Sequence, residues 1–303
     1  MGMSDATATF SALRSRLHGI AYRMLGSVAE AEDVLQDIWL SWNADCDTVE
    51  HAEAWLVAAT TRRAIDRLRA AKARREDYVG IWLPEPVWTD EGASPEDLSE
   101  LADDVSVAFL LLLERLSPEA RAAFLLREVF DVDYAEIART LGKTEAACRQ
   151  LVHRAKDQVR EDQPARYVPQ DAQRELVRRL ADAMASGDFP AIRSMLAEDA
   201  ELRGDGGGKV TSFPKPMLGG QRIAQVFYAA HLRYGADVEV RATRINGEWA
   251  LLRYIQGHLE SAMTFTTDGS TIRRIHAQRN PDKLARIVSG MRGFALPAGA
   301  LSL

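Results

Sequence analysis

The amino-acid sequence predicts a multidomain protein in which two all-α helical domains are followed by an α+β domain. Three observations support this fold class. The chain has 303 residues, enough for two or three domains that each bury a core. Helical periodicity with capping signals fills the first half, whereas β-like runs such as "ALLRYIQGHLESAMTFTT" occur only beyond residue 170.

The first domain, residues 8–76, is predicted to form three helices. The first ends at Gly26, which suits the left-handed position after a helix. Ser27 begins the second helix, and Glu30 stands three positions on, as in a capping box. The third helix runs from about 52 to 75.

A linker is predicted over 77–95, since this stretch contains "WLPEP" and an acidic run. A second helical domain follows over 96–162. "SPEDL" (94–98) and "SPEAR" (117–121) each place Ser at an N-cap and Pro at the first helical position, which predicts that each opens a helix.

The second helical domain contains a helix-turn-helix pattern over 133–160. A short helix (134–141) ends at Gly142, and Thr144 caps a longer helix a few residues later. In such motifs the second helix enters the major groove of DNA. Its apolar side comprises Ala147, Cys148, Leu151, Val152, Ala155 and Val159. The opposite side carries Arg149, Gln150 and His153.

Those polar side chains have the chemistry of base and phosphate readers, because Arg recognises guanine edges and Gln recognises adenine. The alternative is a three-helix packing unit whose charged side is simply solvated. Agreement of the turn, the cap, the apolar stripe and the basic side favours DNA binding.

The third helix of the first domain has an unusual outer face. Val57, Ala58, Thr61, Ala64, Ile65 and Leu68 form its predicted buried face. Trp55, Arg62, Arg63, Asp66 and Arg69 form the other face. An outward tryptophan among arginines suits a surface on which an unstacked base rests. The alternative is that Trp55 folds back onto neighbouring helices.

The second helix shows a complementary acidic face. Asp33, Gln36, Asp37 and Leu40 share one side, opposite Val34, Leu35, Ile38 and Trp42. An acidic face with an exposed leucine can bind a basic partner. A solvated face is the default alternative.

Composition and charge limit the classes of protein. The chain is 47% hydrophobic and 27% charged, as in ordinary globular proteins. We predict no membrane span and no signal peptide. The spacing of Cys46 and Cys148 fits neither a disulfide framework nor a zinc site, and this favours a protein of the reducing cytoplasm. No metal and no cofactor is expected. The net charge of −6 hides a basic stretch over 60–75, which carries seven Arg or Lys against one acid.

These segments together resemble the sigma-70 family of transcription initiation factors, in its extracytoplasmic-function class. "AEDVLQDIWLSW" and "AWLVAATTRRAIDRLR" resemble region 2, and "LSPEARAAFLLREVFDVDYAEIARTLGKTEAACRQLVHRA" resembles region 4. The resemblance covers roughly residues 10–160. Many family members carry Asn where this chain has Arg62, so the base preference at the −10 element does not transfer.

The resemblance implies roles for residues in both regions. Core RNA polymerase and promoter DNA would be the partners. The polymerase clamp would be bound by Asp33, Gln36, Asp37 and Leu40. The −10 element would be contacted by Trp55, Arg62, Arg63, Asp66 and Arg69. The −35 element would be contacted by Thr144, Glu145, Arg149, Gln150, His153 and Arg154.

The remainder of the chain consists of a linker (163–170), an α+β domain (171–290) and a tail (291–303). It is similar to a subgroup with a fused SnoaL-like domain, which implies a cone of helices against a curved sheet. In that subgroup the extension regulates the sigma core by intramolecular contact, without a separate anti-sigma factor. The implied contact elements are Asp205, Gly206, Gly207, Gly208 and Lys209 in "DGGGK", and Asn280, Pro281, Asp282, Lys283 and Leu284 in "NPDKL".

Two other functions are less consistent with the residues of this remainder. "RGDGGGKV" (203–210) lacks the Ser or Thr that follows Lys in a phosphate-binding loop, so its glycines predict a tight turn between strands. An enzyme is not expected, because the spacing of Asp199, His231, His258, His276 and the tyrosines 228, 234 and 254 names no catalytic set. A ligand-binding domain and a DNA-binding regulator that does not join polymerase remain alternatives.

Overall fold

The computed structural model describes residues 3–76, 78–89, 105–161 and 168–292. These form two compact units. Unit 1 combines residues 1–77 with 109–163, so the two predicted helical domains pack together in it. Unit 2 combines residues 78–108 with 164–303. The helix predicted to open at "SPEDL" lies outside the described residues. So does the predicted tail (291–303), apart from its first two residues, which end the last helix.

Unit 1 is built from helices alone over its described residues. They are α1 (Met3–Leu25), α2 (Val28–Asp45), α3 (Ala52–Glu76), α4 (Val107–Leu113), α5 (Pro118–Glu128), α6 (Tyr134–Leu141) and α7 (Glu145–Glu161). The first two residues of α4 are assigned to unit 2.

The helix boundaries follow from local chemistry. Gly26 has φ of 66°, the left-handed geometry predicted after α1. The Ser27 hydroxyl accepts a hydrogen bond from the backbone N–H of Glu30, and Ser117 caps α5 ahead of Pro118 in the same way. The predicted end of α1 and the predicted starts of α2 and α5 are therefore confirmed.

Helices α1 to α3 form a bundle around a continuous apolar core. The predicted inner positions of α2, including Val34 and Ile38, are buried, as are Val57 and Leu68 of α3. Trp42 is fully buried, and its indole N–H donates to the carbonyl of Ala6 at 2.9 Å. The buried indole thus has its polar group satisfied.

The helix-turn-helix is formed by α6 and α7. Gly142 ends α6 with φ of 62°, and the Thr144 hydroxyl accepts from the backbone N–H of Ala147 at 3.2 Å. The apolar side of α7 is held in the core by Cys148, Val152, Ala155 and Val159. The turn, cap and stripe predicted from sequence are confirmed.

A buried arginine joins the α1–α3 bundle to the second helical part of unit 1. The guanidinium of Arg121, on α5, donates to the carbonyls of Leu113 and Met24 and to the carboxylate of Glu114. The Met24 carbonyl is one of the acceptors left open at the end of α1. A charge at this depth is tolerated because it is hydrogen-bonded on several sides.

Unit 2 is a mixed α+β domain, as predicted. Its helices are α8 (Gln170–Ser186), α9 (Phe189–Ser194), α10 (Gly220–Tyr234) and α11 (Pro281–Arg292). Its strands are β1 (Leu196–Asp205), β2 (Met217–Leu218), β3 (Val238–Ile245), β4 (Glu248–Ile255), β5 (His258–Thr267) and β6 (Ile272–Gln278). They form one sheet in the order β2-β1-β6-β5-β4-β3, in which β1 and β6 are parallel and other neighbours are antiparallel.

The sheet has an apolar core on each face. Leu251 and Met263 face a core that also contains residues of α8, α9 and α10. Their neighbours Leu252 and Ala262 point to the opposite face and pack with Leu284 of α11. The second core also takes in Trp88, which lies in the segment predicted as a linker. We call residues 78–89 the strap.

Candidate functional site

The six residues predicted to contact the −35 element lie at the N-terminal part of α7 and the turn before it. All six are exposed: Thr144, Glu145, Arg149, Gln150, His153 and Arg154. Arg149 pairs with Glu145 at 2.7 Å, and His153 lies 3.0 Å from a carboxylate oxygen of Asp157. The helix therefore presents a polar face while its apolar side is fixed in the core, which is the arrangement that a groove-reading helix needs.

Trp55 does not point away from the bundle. Its ring packs against that of Trp42, with centroids 5.7 Å apart and planes tilted by 46°. The expectation of an outward tryptophan is wrong in this respect, because the large apolar surface of the indole is better buried against α2. The side chain is half-buried, so one part of it still reaches solvent.

The basic residues of α3 are engaged in polar contacts within unit 1. Arg62 donates to the carbonyls of Thr140 at 2.8 Å and Arg139 at 3.0 Å, at the end of α6. Arg69 donates to carboxylates of Asp66 and Glu119. The guanidinium of Arg62 is favourably placed at the C-terminal end of α6, because the open carbonyls there carry partial negative charge.

The acidic face of α2 is paired with α3. Arg63 and Arg67 both donate to Asp37, and Arg67 also reaches Asp33 at 3.0 Å. Burial favours the neutral acid, but hydrogen bonds and charge from the two arginines outweigh it and lower the pKa of Asp37. The acidic residues thus brace α2 against α3 in addition to facing solvent.

Leu40 differs from its acidic neighbours. It is 64% exposed on the same face of α2, and Gln36 beside it is exposed too. An apolar side chain this exposed makes no contribution to the core of the bundle.

Asp205, at the end of β1, is the centre of a polar site in unit 2. Its side chain is fully buried. Within the strap, Tyr78 donates its hydroxyl to this carboxylate at 2.6 Å and Leu83 donates its backbone N–H at 2.9 Å. Gly207 and Gln278 donate from unit 2 itself, at 2.9 and 3.2 Å. A buried carboxylate needs this many donors to offset its loss of water.

Lys283 supplies the positive charge that the Asp205 site requires. Its ammonium lies 2.7 Å from the Asp205 carboxylate and also donates to the Leu83 carbonyl at 2.6 Å. The same ammonium lies over the rings of Trp82 and Tyr78, 4.6 and 5.3 Å from their centroids. Lysine, strap aromatics and carboxylate therefore form one charge-compensated cluster.

The hydroxyl of Tyr78 is strongly perturbed by this cluster. Burial and the hydrogen bond to Asp205 raise the pKa of Tyr78 well above its usual value, although Asn280 acts in the opposite direction. The hydroxyl consequently stays protonated and keeps donating to the carboxylate.

The glycines of "DGGGK" form the tight turn that the sequence predicted. Gly207 and Gly208 have φ of 62° and 69°. A Cβ on Gly207 would lie 2.3 Å from the amide nitrogen of Asn280, so only glycine fits there. Lys209 pairs with Asp282 across the same junction. The turn therefore brings "DGGGK" directly against "NPDKL".

"NPDKL" opens α11. The Asn280 side chain accepts from the backbone N–H of Asp282 at 3.1 Å, which caps the helix, and Pro281 is its first residue. Leu284 points into the second apolar core. The motif thus has a structural role besides its contacts with the strap.

The rest of the strap runs along α11 and to the end of β3. Glu85 is buried and pairs with Arg286 at 3.0 Å. Trp88 donates to the hydroxyl of Thr243 at 2.9 Å, and Thr89 donates its N–H to the Arg244 carbonyl at 3.0 Å. The strap is therefore an integral part of unit 2 and extends its sheet edge.

All ten residues predicted as regulatory contacts lie at or near the Asp205 site. The segment that this site binds is the strap. The strap's own contributions from Tyr78 and Leu83 were missed, although "WLPEP" marked the segment. Prolines and acids favoured a linker, whereas the pairing partners lie more than a hundred positions away in sequence.

Three of the residues considered for catalysis have different surroundings in unit 2. His276 is buried on β6, and desolvation, with the charges of Arg203 and Arg274, lowers its pKa to about 3. His258 is exposed, and Asp199 pairs with Arg273. Over the described residues, no group of three or more His, Cys, Asp or Glu is arranged to hold a metal ion.

Comparisons with known proteins agree with this architecture. The family model for sigma-70 region 2 matches residues 9–74, and that for sigma-70 region 4 matches residues 106–159. The ECF RNA polymerase sigma factor SigJ of Mycobacterium tuberculosis is 40% identical over 244 residues, which cover 79% of this chain and 78% of that protein. The probable ECF RNA polymerase sigma factor SigI of the same species is 29% identical and covers 92% of this chain and 94% of its own length.

The solved structures include a relative of similar length. The crystal structure of the Mycobacterium tuberculosis extracytoplasmic function sigma factor SigJ matches with a TM-score of 0.75 and 31% identity, over 92% of this chain and 98% of its own. The chain belongs to the extracytoplasmic-function class of the sigma-70 family, with an α+β domain fused after region 4. It is accordingly an alternative sigma factor.

None of the helices in the described part of the chain is both long and apolar enough to cross a membrane.

Proposed function

We propose that the chain binds core RNA polymerase through α2 and directs it to promoters, with α7 at the −35 element and α3 at the −10 element. The observation that carries this proposal is the polar face of α7. Six side chains able to reach bases or phosphates are exposed on a helix whose other side is anchored in a core.

The polymerase contact is best assigned to Leu40. Asp33 and Asp37 form ion pairs with Arg63 and Arg67. Reversing the charge of either aspartate would therefore also disturb the contact between α2 and α3. Leu40 is 64% exposed and supports a protein contact without that ambiguity.

A pull-down with core polymerase tests this assignment. We expect Leu40→Asp to weaken binding at least about tenfold, because a charge would replace an apolar anchor at the interface. Leu232→Asp is the matched control, since Leu232 is 66% exposed on α10 of unit 2. Equal binding of both variants would contradict the assignment. Failure of the unaltered chain to bind polymerase would favour a DNA-binding regulator that acts alone.

Promoter contact by α3 requires a local rearrangement. Arg62 would have to release the carbonyls of Thr140 and Arg139, and Arg69 would have to release Glu119. These bonds join the −10 surface to the part of unit 1 that carries α7. We therefore infer that promoter binding at the −10 element is coupled to loosening of α3 from α6.

We further propose that the SnoaL-like domain regulates initiation by holding the strap. The strap follows region 2 in the chain, and region 4 begins after it, so its conformation constrains the connection between the two promoter-reading regions. Support comes from the buried Asp205–Lys283 pair, which binds the strap through Leu83 on both its N–H and its carbonyl.

Several finer expectations remain predictions. They are that no separate anti-sigma factor is needed, that the fused domain is not an enzyme, and that the protein works in the cytoplasm, where promoter DNA lies. Ligand binding by the SnoaL-like domain remains the alternative for that domain. Transcription from a promoter library in the presence and absence of cell metabolites would separate it from regulation by the strap alone.

A further inference from the structure

Tyr134, the first residue of α6, lies among arginines at the edge of the helix-turn-helix. The guanidinium carbon of Arg149, on α7, is 4.4 Å from the centroid of the Tyr134 ring. The guanidinium carbon of Arg127, on α5, is 5.2 Å from the same centroid. One ring therefore contacts two cations from two other helices, at distances typical of cation–π pairs.

The ring is itself fixed in position. It stands directly after Asp133, whose carboxylate accepts from the backbone N–H of Glu136 at 2.7 Å and so caps α6. Arg127 is held in turn by the carbonyl of Val132 at 3.1 Å and by the carboxylate of Asp131 at 3.5 Å. The Tyr134 ring therefore starts from a capped helix terminus and is flanked by a held Arg127 on one side, which leaves Arg149 as the more exposed of its two cations.

Arg149 is constrained by two contacts and still available. Besides the ring, its guanidinium is held by Glu145 at 2.7 Å, yet the side chain remains 57% exposed. A guanidinium that contacts a ring through its face keeps its N–H donors in plane and directed outwards. Holding a long side chain in one orientation before binding removes part of the entropy cost of the contact.

We propose that Tyr134 is a positioning residue for promoter reading, whose ring orients Arg149 toward the base that Arg149 recognises. This inference rests on the proposed role of Arg149 at the −35 element. Tyr134 acts through Arg149 and need not touch DNA itself. Its aromatic ring is the essential part, and its hydroxyl is dispensable.

Selection from a promoter library randomised across the −35 element tests the inference, using the full chain with core polymerase. Arg149→Ala should lose base preference at one position of the selected sequences. Tyr134→Leu should reduce preference at that same position by about two- to fivefold, the range for an exposed cation–π contact. Tyr134→Phe keeps the ring and should retain the wild-type preference.

The possible outcomes separate this inference from the proposed function. If Arg149→Ala changes the preference and Tyr134→Leu does not, the positioning role is overturned and the role of Arg149 stands. If Arg149→Ala changes nothing, the assignment of Arg149 and the inference both fail. A uniform loss across all positions in Tyr134→Leu would indicate a purely structural role and would also overturn the inference.

A measurement without DNA gives an independent check. The side-chain Nε–H proton of Arg149 should show a ring-current shift in the nuclear magnetic resonance spectrum of the full chain. That shift should persist in Tyr134→Phe and disappear in Tyr134→Leu, with helix content unchanged. Persistence of the shift in Tyr134→Leu would overturn the proposed contact.

Discussion

A buried aspartate is the centre of the polar cluster that joins the first half of the strap to the rest of unit 2. Asp205 accepts from two strap groups, from Gly207 in the turn after β1, from Gln278 of β6 and from the ammonium of Lys283. Breaking one member of a buried charge pair commonly costs about 3–5 kcal/mol, since the partner is left uncompensated. Asp205 is therefore the residue at which the strap can be loosened with the smallest change in shape.

His276 provides a pH-dependent test of the packing in unit 2. Its pKa is lowered to about 3, below its ordinary value of 6.5, by burial and by Arg203 and Arg274. A lowered pKa means that the neutral ring contributes stability above pH 6.5, and that this contribution is lost as the pH falls toward 3. Between pH 7.5 and 5, linkage gives a loss of about 2 kcal/mol from this group alone.

We expect His276→Gln to flatten that dependence, because glutamine does not titrate. Denaturant unfolding of the full chain at pH 7.5 and 5 would measure it. His258→Gln is the matched control, since His258 is exposed on β5, and it should keep the wild-type dependence. The account of His276 is wrong if its variant and the wild type lose the same stability on acidification.

At the scale of elements, the link between α3 and α6 depends on Arg62. Charge-assisted hydrogen bonds to open helix carbonyls each contribute about 1.5–3 kcal/mol in protected sites and less where water competes. Arg62→Asn, which restores the residue that many family members carry, removes both bonds to α6. We expect hydrogen exchange across α6 (Tyr134–Leu141) to accelerate, because its last turn loses this external partner.

Arg63→Asn is the control for this measurement. Arg63 is the next residue of α3, but its partner Asp37 lies on α2, so the change leaves α6 untouched. Exchange in α6 should match the wild type in this variant. Faster exchange in both variants, or in neither, would show that Arg62 does not hold α6.

The elements that local chemistry determines could be predicted from sequence. Ser27, Ser117 and Gly142 mark helix ends by side-chain capping and left-handed backbone, which act within a few residues. The exposed face of α7 followed from the 3.6-residue period for the same reason.

Features that depend on distant parts of the chain could not be predicted in this way. Trp55 faces outward on a helical wheel, but the neighbouring Trp42 offers it a better apolar contact. The strap has the composition of a linker, and its order comes from partners such as Asp205 and Asn246 that local sequence does not reveal. In both cases the conformation is determined by contacts with residues that are distant in sequence.

At the scale of the whole molecule, we propose a different part of the function for each unit. Unit 1 contains the surfaces proposed for polymerase and promoter DNA, and unit 2 contains the α+β domain together with the strap. The second core of unit 2 includes Trp88 of the strap and Leu284 of α11. Removing either segment would expose that core, so truncation would test folding of the domain rather than regulation. Single substitutions at the Asp205 site test regulation more directly than truncation does, because they leave the second core of unit 2 covered.

The most direct test of the account is promoter-specific transcription in vitro with core polymerase and the full chain, comparing wild type with Asp205→Asn. We predict that the wild type directs transcripts from its own promoters, and that Asp205→Asn changes their yield at least about threefold without lowering affinity for polymerase. Asp182→Asn, an exposed change on α8, should behave as wild type. The assay temperature is kept below the melting transition of each variant. Unchanged output from Asp205→Asn would contradict regulation through the strap, and absence of transcripts from every genomic promoter with the wild type would contradict the sigma-factor function itself.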